Sequence, residues 1–361
     1  MPVSATVKAL FSKSRVLNTG FPEVTLNESE LFGIFKIICT DLGWEMAIIE
    51  LNEPQNALPS ANYYKVPLAW FESHHDHPGM LHLLIALQCA VDTTEDFGMY
   101  FGNVCSLHKR RLKFQKILSY QPKPTMDQVG PRGLLEYGIC GNHLLNNWLI
   151  WRKWLFDIDN RSGQETGYLF EPVLANSLGG VSMGSSNSPV KRIGEDGQPT
   201  SKGRQIDCFI GAENLAYEFK LRVTIAASGQ GRFGEELSFP RECQAAKITP
   251  ILVVLDPTPS NRLSELSAAF IQSGGRVYIG DAAWRHLEEQ AGAIMANFID
   301  NYIKPPLAAI NEFDTNSLSP IKFTWENERI VIANEESEYI IKRNPNAPEA
   351  TQMFGEAEVS E

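Results

Sequence analysis

The sequence predicts an α/β fold, in which helices flank a central mixed β-sheet and a mainly helical part precedes this core. Two observations predict this class. From residue 163 onward, segments with helical spacing of apolar residues alternate with short strand-like segments. One of these segments, residues 250–256, is almost wholly apolar, as expected of a strand buried at the centre of a sheet. Such alternation is typical of a single sheet covered by helices.

The first part of the chain, residues 1–130, is expected to be mainly helical and to serve DNA binding or dimerisation. A helix that runs into a strand is predicted for 31–51, with the break near 41–43, and a buried helix is predicted for 80–91. Three prolines and two glycines in residues 121–133 mark the end of this part.

Residues 106–120 form a basic segment with the spacing of an amphipathic helix. Its apolar side chains are expected to face the core and its basic side chains the solvent. The predicted inward residues are Leu107, Leu112 and Ile117, and the predicted outward residues are Lys109, Arg110, Lys113 and Lys116. These cations could contact DNA phosphates, or they could form a solvated helix face, and the sequence leaves both interpretations open.

The second part, residues 131–305, is expected to carry the sheet. Helices are predicted at 134–156, 163–180, 240–248, 262–275 and 282–303, and strands at 204–211, 215–223, 250–256 and 276–281. The tryptophans Trp148, Trp151 and Trp154 are expected to share a buried helix face. Segment 185–203 predicts a long loop or hairpin arm.

The third part, residues 306–361, is expected to be an extension whose acidic end is disordered.

Length and composition are those of a globular protein. The 361 residues are 43% hydrophobic and 21% charged. No apolar run reaches the ~18 residues that span a membrane. The N-terminus lacks the apolar core of a secretory signal, so a cytoplasmic location without membrane contact is expected. The six cysteines lack zinc-ribbon spacing and are expected to be buried or free thiols.

The charge distribution permits a nucleic-acid partner although the net charge is unfavourable. The formal net charge is −11, from 32 basic and 43 acidic residues. Residues 101–222 nevertheless carry 16 basic against 11 acidic residues, whereas the rest of the chain is acidic. Because charges are screened over about 8–10 Å, an acidic protein can still present a basic cleft.

Two adjacent predicted strands carry residues suited to phosphodiester hydrolysis. Asp207 lies in the first strand, and Glu218 and Lys220 lie in the second. Because side chains alternate along a strand, Glu218 and Lys220 share one face while Phe219 points to the other. Carboxylates on neighbouring strands can converge on one Mg²⁺, and a nearby lysine can orient water or stabilise developing charge. The alternative interpretation of the same residues is a solvated strand face with a Lys–Glu ion pair at the surface.

This pattern resembles the signature of the PD-(D/E)XK nucleases, with Ile206 where that family often has proline. The resemblance covers about residues 165–281 and implies a restriction-endonuclease-like core that uses Mg²⁺. Asp207 and Glu218 are then the expected metal ligands, joined by the carbonyl of Phe219.

The resemblance also implies a carboxylate from a preceding helix. Glu171 is the expected residue, directly or through a water molecule, and Glu165 is the alternative. Pro172 argues against a helical Glu171, because a residue before proline avoids helical angles.

The segment that follows the second strand contains side chains able to reach base edges, since arginine can pair with guanine and glutamine with adenine. The residues expected to contact DNA are Arg204, Arg222, Ser228, Gln230 and Arg232. An ordinary polar loop is the alternative interpretation.

A base-reading segment beside a catalytic strand is similar to the arrangement in type II restriction endonucleases, and the size and this segment resemble the ApaLI-type enzymes. The resemblance implies cleavage of double-stranded DNA at a short specific sequence, and a companion DNA methyltransferase. A palindromic target would require a two-fold homodimer.

Two other functions fit the same residues. A repair or recombination nuclease would lack sequence preference, and an inactive DNA-binding or interaction protein would not need Asp207. A transition-metal site is a further possibility at 74–82, where His74, His75, His77 and His82 gather around Asp76, although a polar loop is the default interpretation.

Overall fold

The structure is a computed structural model in which the chain can be followed through most of its length. The described residues are 2–17, 23–44, 58–60, 62–72, 79–94, 96–138, 143–194, 196–220, 230–312, 319–326 and 328–344. For residues 161–170, 230–232, 307 and 310–312 the description covers the backbone alone.

The described N-terminal part is mainly helical, as predicted. Its helices are α1 (Ala5–Arg15), α2 (Glu28–Asp41), α3 (Leu68–Glu72), α4 (Met80–Thr93) and α5 (Asp96–Tyr120), and a short antiparallel pair joins β1 (Val16–Leu17) to β2 (Val24–Thr25). Helix α2 ends at the predicted break, because Gly43 adopts a left-handed φ of 66° just after Leu42. The strand predicted after it and four members of the histidine cluster (residues 74–77) lie outside the described residues.

The prediction that Lys109 and Lys113 face solvent is wrong. Both side chains are buried, Lys109 to 3% exposure and Lys113 to 0%. The Lys109 ammonium donates hydrogen bonds to the carbonyls of Lys13, at 3.2 Å, and Val16, at 3.1 Å. These carbonyls end helix α1, where the helix dipole favours a cation. Ile117 is buried as predicted.

The other described residues of the basic segment lie either against the protein interior or at the surface. Leu107 and Leu112 pack against the core, as predicted, and Lys116 is exposed. The guanidinium of Arg111 donates to the carbonyls of Tyr63 and Val66. Much of the positive charge of this helix is therefore used inside the protein.

The boundary predicted between two helices after residue 156 is wrong. Helix α6 (Met126–Tyr137) is followed by α7 (His143–Ser177), a helix of 35 residues that continues through Pro172. Gly179 and Gly180 follow its end, and Gly179 adopts a φ of 70°. Trp154 is buried, but Trp148 is 51% exposed. Each step of three residues turns by about 300° around a helix, so three tryptophans at this spacing cannot all point in the same direction.

The central sheet is mixed and contains five described strands. They are β3 (Val181–Met183), β6 (Ile206–Ile210), β7 (Leu215–Lys220), β8 (Thr249–Val254) and β9 (Arg276–Ile279), hydrogen-bonded in the order β3-β6-β7-β8-β9. Strands β6 and β7 pair antiparallel, whereas β7, β8 and β9 pair parallel. The apolar strand β8 thus has a parallel neighbour on both sides, and the middle position belongs to β7.

Helices cover both faces of this sheet. Helices α8 (Gln230–Ala245) and α9 (Asn261–Gln272) pack on one face, through a core that includes Phe239, Phe270 and Leu252. Tyr217 and Phe219 belong to the core of the other face, which is continuous with the N-terminal helices and with α10 (Asp281–Phe298). The predicted α/β class, with a central mixed sheet flanked by helices, is confirmed.

The predicted hairpin arm is present as β4 (Lys191–Ile193) and β5 (Pro199–Gly203). The predicted short helix at 240–248 is instead the second half of α8, and Pro240 lies inside the helix. Packing of Phe239 and Cys243 under the sheet accounts for a helix that continues through this proline.

The C-terminal region contains strands that the sequence did not suggest. A π-helical turn (Ile299–Ile303) and α11 (Lys304–Glu312) lead to β10 (Lys322–Trp325), β11 (Arg329–Ala333) and β12 (Glu338–Lys342), which form an antiparallel sheet against Trp154. The tail predicted to be disordered lies outside the described residues from 345 onward. Across the described helices, none combines the length and apolar character that crossing a bilayer requires.

Candidate active site

The hairpin β6–β7 sets the spacing between the candidate acids. Its paired residues are Cys208 with Tyr217, Phe209 with Ala216, and Ile210 with Leu215. The turn closes at Asn214, which has a φ of 54°, a left-handed conformation that asparagine tolerates. The same register, continued by one residue, brings Asp207 opposite Glu218.

Asp207 is fixed by the neighbouring strand at the point where the paired ladder ends. Its Oδ2 accepts a hydrogen bond of 2.8 Å from the backbone N–H of Phe219, and the residue is 7% exposed. Burial, followed by the negative charges of Glu218 and Glu171, raises the pKa of Asp207 well above its usual value. The charges of Glu218 and Glu171 therefore act on Asp207 from neighbouring elements.

Lys220 lies beside Glu218 as the alternation predicts. Its Nζ is 2.8 Å from Oε1 of Glu218, and both side chains are largely shielded from solvent. Burial alone lowers the pKa of Lys220, but attraction to Glu218 and Glu236 outweighs it and raises the pKa above its usual value. Lys220 is therefore a charged hydrogen-bond donor at neutral pH, and it is not suited to accept a proton.

Glu171 reaches this region from the last turns of α7. Burial is the main cause of the raised pKa of Glu171, the charge of Glu218 adds to it, and Lys220 opposes it. The expectation that Pro172 would interrupt the helix at Glu171 is wrong, because α7 continues through both residues. The side chain of Glu165, the alternative, lies outside the described part.

The acids at this site suit Mg²⁺ by their chemistry. Repulsion among Asp207, Glu218 and Glu171 raises the cost of ionising Asp207, and a divalent cation would relieve it. Within the described residues, no group of three or more His, Cys, Asp or Glu side chains forms a ready-made metal cage. Mg²⁺ commonly takes only one or two protein carboxylates and completes its shell with water and phosphate oxygens.

Arg204 is part of the protein interior in this structure. Its Nη2 donates to the carbonyl of Glu235 at 2.8 Å, its Nε lies 3.7 Å from Oε2 of Glu242, and the residue is 7% exposed. The guanidinium also lies over the ring of Phe239. These contacts fix the start of β6 to α8, and the expected DNA contact of Arg204 stays a prediction.

The other predicted DNA contacts lie at or beyond the edge of the described chain. Arg222 and Ser228 fall outside the described residues, and the side chains of Gln230 and Arg232 do as well. The backbone nevertheless corrects one expectation, because the described part of α8 starts at Gln230. Gln230 and Arg232 therefore belong to a helix, where a loop was predicted.

One carboxylate near the site was not found by sequence reasoning. Oε1 of Glu236, on α8, lies 3.1 Å from Nζ of Lys220. The chain between the two residues passes through a segment whose path the sequence does not fix. No spacing rule therefore pointed to Glu236.

Comparisons of the chain with known proteins identify its relatives. Residues 54–304 match the family model described as ApaLI-like restriction endonuclease. The chain is 44% identical to the type II restriction enzyme ApaLI of Acetobacter pasteurianus over 305 residues. The aligned region covers 83% of this chain and 80% of that enzyme. No solved structure matches the chain.

Proposed function

The chain belongs to the ApaLI-like restriction endonucleases and is a type II restriction endonuclease, and from that premise we propose that its active site is formed by Asp207, Glu218, Lys220 and Glu171. The single observation that supports this assignment best is the hydrogen bond from the Phe219 N–H to the Asp207 carboxylate. It joins the acid of one strand to the strand that carries the Glu218–Lys220 pair, so that acids and lysine meet at one place.

The proposed cofactor is Mg²⁺, held by Asp207 and Glu218 together with the carbonyl of Phe219. When bound, the ion would neutralise charge on the scissile phosphate and activate water. Glu171 supports the same position, directly or through a water molecule.

Lys220 provides a charged hydrogen-bond donor of the site. Its charged ammonium holds the attacking water by hydrogen bonding and stabilises negative charge that develops on the phosphate. As the water oxygen bonds to phosphorus, the bond from phosphorus to the leaving oxygen breaks. The attacking water loses one proton to the surrounding solvent, and the leaving oxygen takes up one proton from solvent water. The burial of Asp207 and Glu218 keeps competing water away from these groups.

The proposed substrate is double-stranded DNA with a short specific sequence. Arg222, Ser228, Gln230 and Arg232 are proposed to contact bases or backbone, because they flank the start of α8 just after the catalytic strand. Two copies of the chain are proposed to act as a homodimer on a two-fold target. A companion methyltransferase and a cytoplasmic location belong to the same proposal.

The test is digestion of plasmid and phage DNA by the purified protein with Mg²⁺, beside the Lys220→Ala variant and an EDTA control. Discrete fragments from the parent protein alone are expected, and their ends give the target sequence. A smear would indicate a nuclease without sequence preference. Equal cleavage by the Lys220→Ala variant would refute the assignment of the site, and no cleavage by the folded parent would refute the activity.

A further inference from the structure

Lys220 has a second carboxylate partner that the catalytic motif does not contain. Its Nζ lies 2.8 Å from Oε1 of Glu218 and 3.1 Å from Oε1 of Glu236. Glu218 comes from the same strand as Lys220, whereas Glu236 comes from helix α8. The ammonium is therefore held between two elements that are distant in sequence.

We propose that Glu236 is a positioning residue of the active site, which holds the Lys220 ammonium in place for cleavage. This inference rests on the proposed function and extends it to a residue outside the motif. The two glutamates then have different tasks, since Glu218 would hold the cofactor and Glu236 pairs with Lys220.

The need for a second partner follows from the charge balance of the site. A cation held by Glu218 shares the charge of that carboxylate and repels the ammonium of Lys220. The pair seen between Glu218 and Lys220 is thereby weakened when the site is loaded. Glu236, which is not among the proposed ligands, remains as the anion that keeps Lys220 near the reacting phosphate.

Helix α8 is anchored firmly enough for this task. Phe239 and Cys243 are fully buried under the sheet on the same face as Ala216. The carbonyl of Glu235 also accepts a hydrogen bond from Arg204 at 2.8 Å. The side chain of Glu236 thus projects from a fixed backbone, and little conformational freedom is lost when it pairs with Lys220.

The same helix carries residues proposed to contact DNA. Glu236 lies less than two helical turns after Gln230, the first described residue of α8. Glu236 therefore joins Lys220 to the helix that also carries these residues.

The experiment compares three variants of the full-length protein with the parent. Glu236→Gln keeps the size and removes the charge, Glu236→Asp keeps the charge, and Glu265→Gln makes the same change at an exposed position of α9. Cleavage is measured in a single turnover, with enzyme in excess over a DNA fragment that contains the mapped target. Binding of the same fragment is measured with Ca²⁺ in place of Mg²⁺, and folding is followed by thermal unfolding.

Glu236→Gln is expected to slow cleavage of bound DNA by roughly 10- to 100-fold, the range seen when a residue that orients an active-site group is removed. DNA affinity and the unfolding midpoint should stay near those of the parent, because the change affects the placement of the lysine after binding. Glu236→Asp should recover part of the rate, and Glu265→Gln should stay within about twofold of the parent, as expected of surface substitutions.

Different failures point to different errors. Parent-like cleavage by Glu236→Gln, in a preparation where Lys220→Ala is inactive, would overturn the role of Glu236 and leave the proposed function intact. An equal loss of rate in Glu236→Gln and Glu236→Asp, accompanied by lowered unfolding midpoints, would also overturn it in favour of a purely structural role. Full activity of Lys220→Ala would contradict the assignment of Lys220 to the active site, on which the role of Glu236 depends.

Discussion

The backbone N–H of Phe219 donates a 2.8 Å hydrogen bond to the carboxylate of Asp207. The bond lies just beyond the last paired residues of β6 and β7, so a side chain continues the ladder where the backbone pairing stops. Asp207 is consequently held where burial and the charges of Glu218 and Glu171 disfavour its ionised form. Such a costly placement is common where a protein sacrifices stability for function.

Replacing Asp207 by asparagine should separate stability from activity. The amide oxygen can still accept the Phe219 hydrogen bond, while the repulsion with Glu218 and Glu171 disappears. We expect the metal-free protein to be stabilised by about 1 kcal/mol, a typical gain when an active-site conflict is removed, and cleavage to be lost. Urea unfolding and plasmid cleavage measure the two effects. A stable variant that still cuts DNA would contradict the proposed role of Asp207.

The effect of Mg²⁺ on thermal unfolding gives a second comparison between the parent and Asp207→Asn. Because a ligand that binds only the folded state raises stability, Mg²⁺ should raise the unfolding midpoint of the parent. The increase should be much smaller in Asp207→Asn. Equal increases in both proteins would place the ion elsewhere.

Stability should fall with rising pH through the titration of Asp41. This carboxylate accepts hydrogen bonds from Tyr302, at 2.6 Å, and Tyr100, at 3.1 Å, but burial outweighs them and raises its pKa to about 6. A carboxyl with a raised pKa holds its proton more tightly in the folded state, so stability is lost as the pH rises from the ordinary value near ~4 through 6.

The matched variant is Asp41→Asn, which cannot titrate. The parent should lose roughly 2 kcal/mol more stability than this variant between about pH 4 and pH 7. Urea unfolding at a series of pH values gives the difference directly. Parallel curves for the two proteins would mean that Asp41 titrates as an ordinary surface acid.

Lys109 should matter for folding and little for DNA binding. Removal of its ammonium leaves the carbonyls of Lys13 and Val16 without this partner. We expect Lys109→Met to cost about 1–3 kcal/mol, the penalty for unsatisfied buried acceptors, whereas Lys8→Met at an exposed position of α1 should be close to neutral. The salt dependence of DNA binding should be the same for both variants. A reduced slope in Lys109→Met alone would show that Lys109 contacts a phosphate.

Gly180 should not tolerate a side chain. A methyl group there would overlap the sulfur of Cys208 and crowd the carbonyl of Phe209, at 3.2 Å. Gly180→Ala should therefore push the end of α7 away from β6, lower stability by about 1–3 kcal/mol, and slow cleavage by separating Glu171 from Asp207. Gly184→Ala is the control, since open space surrounds that position. Equal midpoints for the two variants would argue against the close approach of α7 and β6.

The central elements could be predicted because each has a strong local signal. The apolar run of β8 and the alternation in β6 and β7 gave their strands, and the amphipathic spacing of α9 gave a helix. The Asp207, Glu218 and Lys220 motif could be found for the same reason, since a period of two places the last two residues on one strand face. Residues 322–342 carry no comparable signal, because their strands are short and rest on Trp154 from a distant helix.

Long-range packing explains the errors. The basic residues of α5 look like a solvated face, yet Lys109 turns inward because the end of α1 offers carbonyls to it. Helix α7 runs through Pro172, and Val173, Leu174 and Ala175, which directly follow the proline, are buried in the core. Local propensity favoured a break there, and tertiary packing outweighed it.

The sequence by itself determined the α/β class, the hairpin that carries the motif, and the chemistry of its three central residues. These properties depend on side-chain alternation and on turn residues, which act over a few positions. Only the tertiary structure decided that α7 continues through Glu171, that Arg204 lies inside the protein, and that Glu236 pairs with Lys220. The last two of these relations join residues from different elements, and their proximity depends on how α8 and the sheet pack together.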